Sequence, residues 1–168
     1  MTDTHLLPSG LDTRDLRSAL GRFATGVAVV TTRDARHAVG MTVNSFCSVS
    51  LDPPLVLFCV GHRSQLRRVL SASTAYAVNL LAAGQERLSG QFARPGLDRF
   101  GAVRWRPGTT GSPVLIDALA ALECITEQVI AAGDHDIVLG RVVEVHPVTE
   151  ADPLVFFGGS YRRLQGNV

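Results

Sequence analysis

The sequence predicts a mainly-β domain, a closed β-barrel with a few short peripheral helices. Strand-like runs at 27–32, 55–60, 76–81, 121–131 and 137–147 are separated by short turns and not by long helical segments. Only two or three stretches have helical spacing. No GxGxxG follows a strand, which disfavours a Rossmann domain. A length of 168 residues suits one domain, read here as residues 12–168 behind a flexible N-terminus over residues 1–11.

The elements follow in order. Asp12 or Thr13 caps a helix whose apolar positions Leu16, Ala19, Leu20 and Phe23 recur at i, i+3, i+4 and i+7, and Gly26 stops it. Residues 27–32 (VAVVTT) are β-branched and read as a buried strand. A polar turn at 33–37 returns the chain as a second strand at 38–45 (AVGMTVNS). Asp52, Pro53 and Pro54 make a rigid break before the fully buried strand 55–60 (LVLFCV). Ser64 caps a short helix with Leu66, Val69 and Leu70 on one face. Strand 76–81 (YAVNLL) precedes a short helix at 85–92, which is broken by Arg94, Pro95 and Gly96. Residues 104–106 form a short strand. Residues 121–131 and 137–147 form a long pair joined by the turn Gly133-Asp134-His135-Asp136. Residues 154–157 (LVFF) lead into Gly158 and Gly159.

Hydrophobic residues make up 46% of the chain and charged residues 18%, which excludes disorder. So few charges leave apolar surface that a homo-oligomer would cover. A net charge of +1 argues against a nucleic-acid binder held by phosphate neutralisation. Arg162 and Arg163 are a basic pair near the C-terminus, and a pair is not a patch. No apolar run approaches the ~18 residues of a membrane span, so no membrane partner is expected. The first ten residues lack the basic and apolar regions of a signal peptide. Cys47, Cys59 and Cys124 are odd in number, follow no zinc spacing and sit in apolar strand-like surroundings. They read as small core residues, and no metal site is expected. A cytoplasmic location fits these features.

The densest polar cluster in an apolar setting is Thr42-Val43-Asn44-Ser45-Phe46-Cys47-Ser48-Val49-Ser50. Its hydroxyls, amide and backbone N–H groups suit an uncharged ring with carbonyls, or a phosphate. Equally, such a strand end can bond its own backbone. Ser64 with Arg63, Arg67 and Arg68 offers either a phosphate site or an ordinary cap beside solvated arginines. Gly133-Asp134-His135 is a hairpin turn or a hydrogen-bonding group that can switch charge near neutral pH. Gly158-Gly159-Ser160-Tyr161-Arg162 is a flexible turn or a close backbone approach to a bound ring, capped by Tyr161 or Arg162. Phe100 and Trp105 read as packing residues. No cysteine lies in a polar, basic context, so Cys–His–Asp catalysis is not expected.

In order along the chain, the segments at 23–32 (FATGVAVVTT), 40–46 (GMTVNSF), 48–56 (SVSLDPPLV), Ser64, 76–81 (YAVNLL), 133–135 (GDH) and 157–161 (FGGSY) resemble the short-chain flavin reductase family. Its members are the reductase components of two-component flavin-dependent monooxygenases, built on the FMN-binding split barrel. The resemblance covers about Leu16 to Leu164. It implies a homodimer that uses NAD(P)H to reduce free FAD or FMN by hydride transfer to flavin N5, for a partner monooxygenase. It places the flavin ring on Thr42, Val43, Asn44 and Ser45, with Ser48 and Cys59 as further contacts. The phosphate falls near Arg63 and Ser64, where Arg67 and Arg68 compete for it. Gly133, Asp134 and His135 fall at the nicotinamide nucleotide, with His135 the candidate catalytic residue. No dedicated arginine for a 2′-phosphate is evident, which favours NADH over NADPH. A non-catalytic flavin carrier or store on the same barrel is the alternative.

Overall fold

The computed structural model describes residues 10–94, 96, 99–147 and 150–164. In chain order the elements are α1 (Thr13–Leu20), β1 (Thr25–Gly26), β2 (Ala28–Arg33), β3 (Ala38–Val43), β4 (Cys47–Leu51), β5 (Pro54–Gly61), α2 (Gln65–Leu70) and β6 (Ala75–Leu80). They continue with α3 (Glu86–Ala93), β7 (Trp105–Pro107), β8 (Pro113–Leu115), β9 (Ala120–Ala132), β10 (His135–Pro147), β11 (Val155–Phe157) and β12 (Ser160–Arg162). Most of the flexible N-terminus expected at 1–11, and the break expected at Pro95, lie outside the described residues.

Seven antiparallel strands form one sheet in the order β3-β2-β6-β9-β10-β5-β4. Its two edge strands, β3 and β4, are consecutive in the chain and joined only by residues 44–46. Laid flat, seven strands would put those edges about 29 Å apart. A link of that length reaches only about 14 Å. The sheet must therefore curl until its edges lie within that reach. No ladder joins β3 to β4 among the described residues, so it stays split and is not the closed barrel expected from strand spacing.

Curling gives the sheet an inside and an outside. Along β5, Val56, Phe58 and Val60 are buried and their neighbours are half-buried. They meet Val30, Val43, Tyr76, Val78, Cys124 and Val138 in the interior, and Leu66 of α2 packs against the same cluster. A second core lies outside β2, where Val29 meets Phe92 of α3, Leu81, Leu115 and Leu154. With both faces covered, β2 needs a continuous run of apolar and β-branched residues. Phe100 packs edge-on between Phe92 and Trp105, with ring centroids 5.1 and 5.7 Å away, as packing residues should.

Several expectations are corrected. Asp12 does cap α1, but the helix ends at Gly21 and not at Gly26. Gly26 instead pairs with Val155, and Gly158 N–H bonds Gly21 carbonyl at 2.8 Å, so the small β1-β11-β12 sheet takes over the chain after the helix. Phe23 is 76% exposed as a result. Residues 47–51 form the edge strand β4 and not a polar continuation of the preceding strand; Ser48 faces solvent across from Val56. Cys47 is exposed and Cys59 half-buried, because both lie where the outer face carries no covering layer. Only Cys124 is the buried core residue expected of all three, and burial pushes its thiol up to about 12. Gly158 and Gly159, both at positive φ, close a tight hairpin into β12 and not a flexible tail.

Candidate functional site

The outer face of β4, β5 and β10 is where the expected residues converge. Cys59 stands opposite Ile137, Gly61 opposite His135, and Leu57 opposite both Leu139 and Cys47. Strand alternation sends this set outward while Val60, Asp136 and Val138 point inward. The β4–β5 ladder stops at Cys47 and Leu57, leaving the Cys59 backbone without a strand neighbour on that side. Ser45 replaces it: its hydroxyl accepts from Cys59 N–H at 3.0 Å and donates to Cys59 carbonyl at 3.4 Å. Asn44 beside it is exposed. Gly61 leaves the strip bare next to His135; a Cβ there would stand 3.4 Å from His135 Nε2.

The turn after β5 ties the other predicted residues to this strip. His62 N–H bonds Asp134 carbonyl at 3.1 Å, and Ser64 N–H bonds Gly61 carbonyl at 2.9 Å. Ser64 caps α2 by accepting from Leu66 N–H and donates to Met41 Sδ, each at 3.2 Å. With only six residues, α2 brings a weak dipole, so charge for an anion must come from side chains. Arg63 is exposed beside Ser64. Gly133, at φ 65°, and Asp134 form the two-residue loop between β9 and β10. His135 is the first residue of β10 and not part of the turn; its Nδ1 lies 2.7 Å from Asp134 Oδ1. The imidazole beside it holds the Asp134 carboxyl below its ordinary value.

Other predicted residues serve the fold through their side chains. The Thr42 hydroxyl donates to the Ser89 carbonyl of α3 at 2.7 Å, and Tyr161 donates to Ser89 Oγ at 2.9 Å. Ser89 is fully buried, so α3 links β3 to β12 through one residue. Val43 is buried in the core, which leaves its backbone as the part open to a ligand. Arg162 is exposed on β12.

Asp136 was expected in the turn and instead lies inside β10, 4% exposed. His62 Nε2 sits 3.0 Å from one oxygen and Arg67 Nε 2.5 Å from the other. Arg67, ahead of His62, keeps this carboxyl below its ordinary value. Arg67 is thereby engaged away from Ser64. The signal that could have found Asp136 is a carboxylate at the head of an apolar strand, which needs cationic neighbours to be buried. Among the described residues, no group of three or more His, Cys, Asp or Glu side chains is arranged to hold a metal.

Comparison with known proteins matches residues 20–165 to the profile of the flavin reductase like domain. The FMN reductase (NADH) SmoA of Agrobacterium fabrum is 42% identical over 165 residues, covering 98% of this chain and 94% of that protein. The reductase subunit HsaB of a flavin-dependent monooxygenase from Rhodococcus jostii is 36% identical over 163 residues, covering 97% and 84%. A probable flavin reductase of Rhizobium meliloti is 48% identical over 132 residues, and the chain spans 42% of its length. The solved structure of the NADH:FAD oxidoreductase SgcE6 of Streptomyces globisporus, in complex with NAD and FAD fragments, superposes with a TM-score of 0.87 at 40% identity. That match covers 94% of this chain and 98% of that one. Identity at this level along nearly the whole chain, on the same backbone course, makes the protein a member of the flavin reductase like domain family.

Proposed function

We propose that the protein is an NADH:flavin oxidoreductase that reduces free FAD or FMN for a partner monooxygenase. The observation that carries this reading is the bare outer strip at Cys59 and Gly61, edged by Ser45 on one side and His135 on the other. The strip fits a flavin. It is narrow in side chains where a ring needs a flat support, and Asn44 offers an exposed amide for ring carbonyls. Arg63 offers a charge beside Ser64 for a phosphate.

When bound together, a reduced nicotinamide and a flavin supply the hydride chemistry between nicotinamide C4 and flavin N5. The chain supplies position. Ser45 holds the segment before β4 against β5 and so fixes the chain position of the exposed Asn44 next to it. Backbone N–H groups beside a bound flavin favour the negative charge that builds on its reduced ring. His135 orients the nicotinamide nucleotide from the head of β10, kept in place by Asp134. Gly133 makes the tight loop that allows this. Tyr161 is tied to Thr42 through Ser89 and Arg162 is exposed on β12, and both are read as further cofactor contacts.

A homodimer fits the same reading. Val49 and Leu51 on β4, Val129 and Ile130 on β9, and Val143 and Val145 on β10 are all more than 40% exposed. These flanking residues suit burial against a second copy. No described helix is long and apolar enough to cross a membrane. The chain is read as a cytoplasmic partner of its oxygenase.

The test is catalytic loss of NAD(P)H absorbance with FAD and FMN, in every combination with NADH and NADPH. NADH turnover with at least one flavin is expected. Absence of turnover in all combinations refutes the reading, and tight flavin retention without turnover supports a flavin carrier instead.

A further inference from the structure

The reaction proposed above gives Asp136 no role, yet it is the residue next to His135 in β10. Alternation turns the two to opposite faces, His135 outward and Asp136 inward. The neighbours of Asp136 are apolar: Val60 and Ala131 stand across from it, and Val138 follows it on the same face. An apolar side chain would satisfy the fold at such a position, because replacing a buried ion pair by a hydrophobic residue is commonly neutral or stabilising. A carboxylate only 4% exposed there calls for a reason other than stability.

The reason lies in what Asp136 holds. One oxygen meets His62 Nε2 and the other meets Arg67 Nε. His62 and Arg67 bracket Arg63 and Ser64, the pair proposed for the flavin phosphate. The β5–β10 ladder ends at Gly61 and His135. Beyond it, His62 N–H bonds the Asp134 carbonyl of the β9–β10 loop at 3.1 Å. To that backbone tie Asp136 adds two through its side chain. Leu66 also anchors α2 in the core, but apolar packing has no direction and leaves the rotation of the turn unset. Charge-assisted hydrogen bonds to two oxygens of one carboxylate do set it.

We propose that Asp136 is a positioning residue that couples the two halves of the site, the flavin-phosphate turn at Arg63 and Ser64 and the nicotinamide contact at His135. It acts through His62 and Arg67 on one side and through its own backbone on the other, and needs no contact with either cofactor. The inference rests on the flavin reductase reading.

Asp136→Asn keeps the shape and removes the charge. In the ligand-free chain, the His62 amide should then exchange with solvent about tenfold faster, while the amide of Val138, paired with Phe58 and Val129, keeps its rate. The FMN Kd from fluorescence titration should rise about fivefold. Riboflavin, which has the ring and no phosphate, should stay within about twofold, because Ser45 and Cys59 are untouched. KM for NADH should rise about fivefold with kcat held within about twofold. Arg67→Gln, at a side chain 45% exposed, breaks one tie and carries the same titrations should Asp136→Asn fail to fold. Combined with Asp136→Asn, it should add less than its separate effect. Unchanged His62 exchange overturns the proposal. So does an equal loss for FMN and riboflavin, which marks a general loosening, or full additivity in the double variant. If the wild-type chain turns over no NADH, the function proposed above fails; the exchange and titration readouts still decide the coupling, so the two failures are distinct.

Discussion

Replacing His135 with alanine separates the proposed role of this side chain from its part in the fold. The imidazole is 49% exposed, and its only described bond is to Asp134, which is 95% exposed. The backbone of residue 135 pairs with Gly61 and Ala132, and alanine keeps both pairings. Stability should therefore fall by less than about 1 kcal/mol, the usual range for a surface substitution. In a chain of this size that moves Tm by no more than about 4 °C. Ser45 and Arg63 are untouched, so the flavin Kd from fluorescence titration should change less than about threefold. Loss of one ligand-orienting hydrogen bond costs about 1–3 kcal/mol, or about 5–150-fold in kcat/KM for NADH. The three measurements on one variant decide the matter. A well-folded variant with unchanged NADH kinetics would refute the role, and a variant that fails to fold would refute the claim that His135 is dispensable to the barrel.

Three further outcomes follow from the packing. Ser45→Ala leaves the Cys59 N–H without its hydroxyl acceptor; flavin Kd should rise about fivefold or more by fluorescence titration, with a loss of about 1 kcal/mol by denaturant unfolding. Gly140→Ala would drive a methyl group into the fully buried Tyr76 ring, so unfolding should register a loss of about 2–4 kcal/mol. Glu123 is fully buried; burial pushes its carboxyl up, but bonds from Thr110, His146 and Thr109 outweigh this and hold it at about 2, below its ordinary 4.5. That stabilisation is complete above about pH 4.5 and is lost as pH falls toward 2, so Glu123→Gln should cost about 3 kcal/mol at neutral pH and flatten acid unfolding in that window.

Elements whose evidence is local were legible in the sequence. The long hairpin of β9 and β10, the strand β5 with its alternation, and the caps at Asp12 and Ser64 all follow from side-chain period and short-range hydrogen bonds. Strand β4 was not legible, because a strand at the sheet edge with one open face has no need of the apolar run that marks a buried strand. Strand β8 is three residues long, too short for any period to register.

The site divides along the same line. Ordered motifs in the sequence were enough to name the family and to put forward Ser45, Cys59, Arg63, Ser64 and His135 as site candidates. Their juxtaposition came from the register of β5 with β10 and from the Ser45 bond to Cys59, neither of which any local stretch encodes. Thr42 and Tyr161 carry hydroxyls suited to a ligand, yet both meet Ser89 of α3, because a buried backbone and hydroxyl there had to find donors. Asp136 and Glu123 show the limit most clearly. A carboxylate in a sequence reads as a surface residue, and its burial depends on donors supplied by distant segments: His62 and Arg67 for Asp136, and Thr109, Thr110 and His146 for Glu123. Local pattern determined the buried strands and the family; the pairing of distant polar groups, which burial makes obligatory, was decided only when the sheet curled and brought them together.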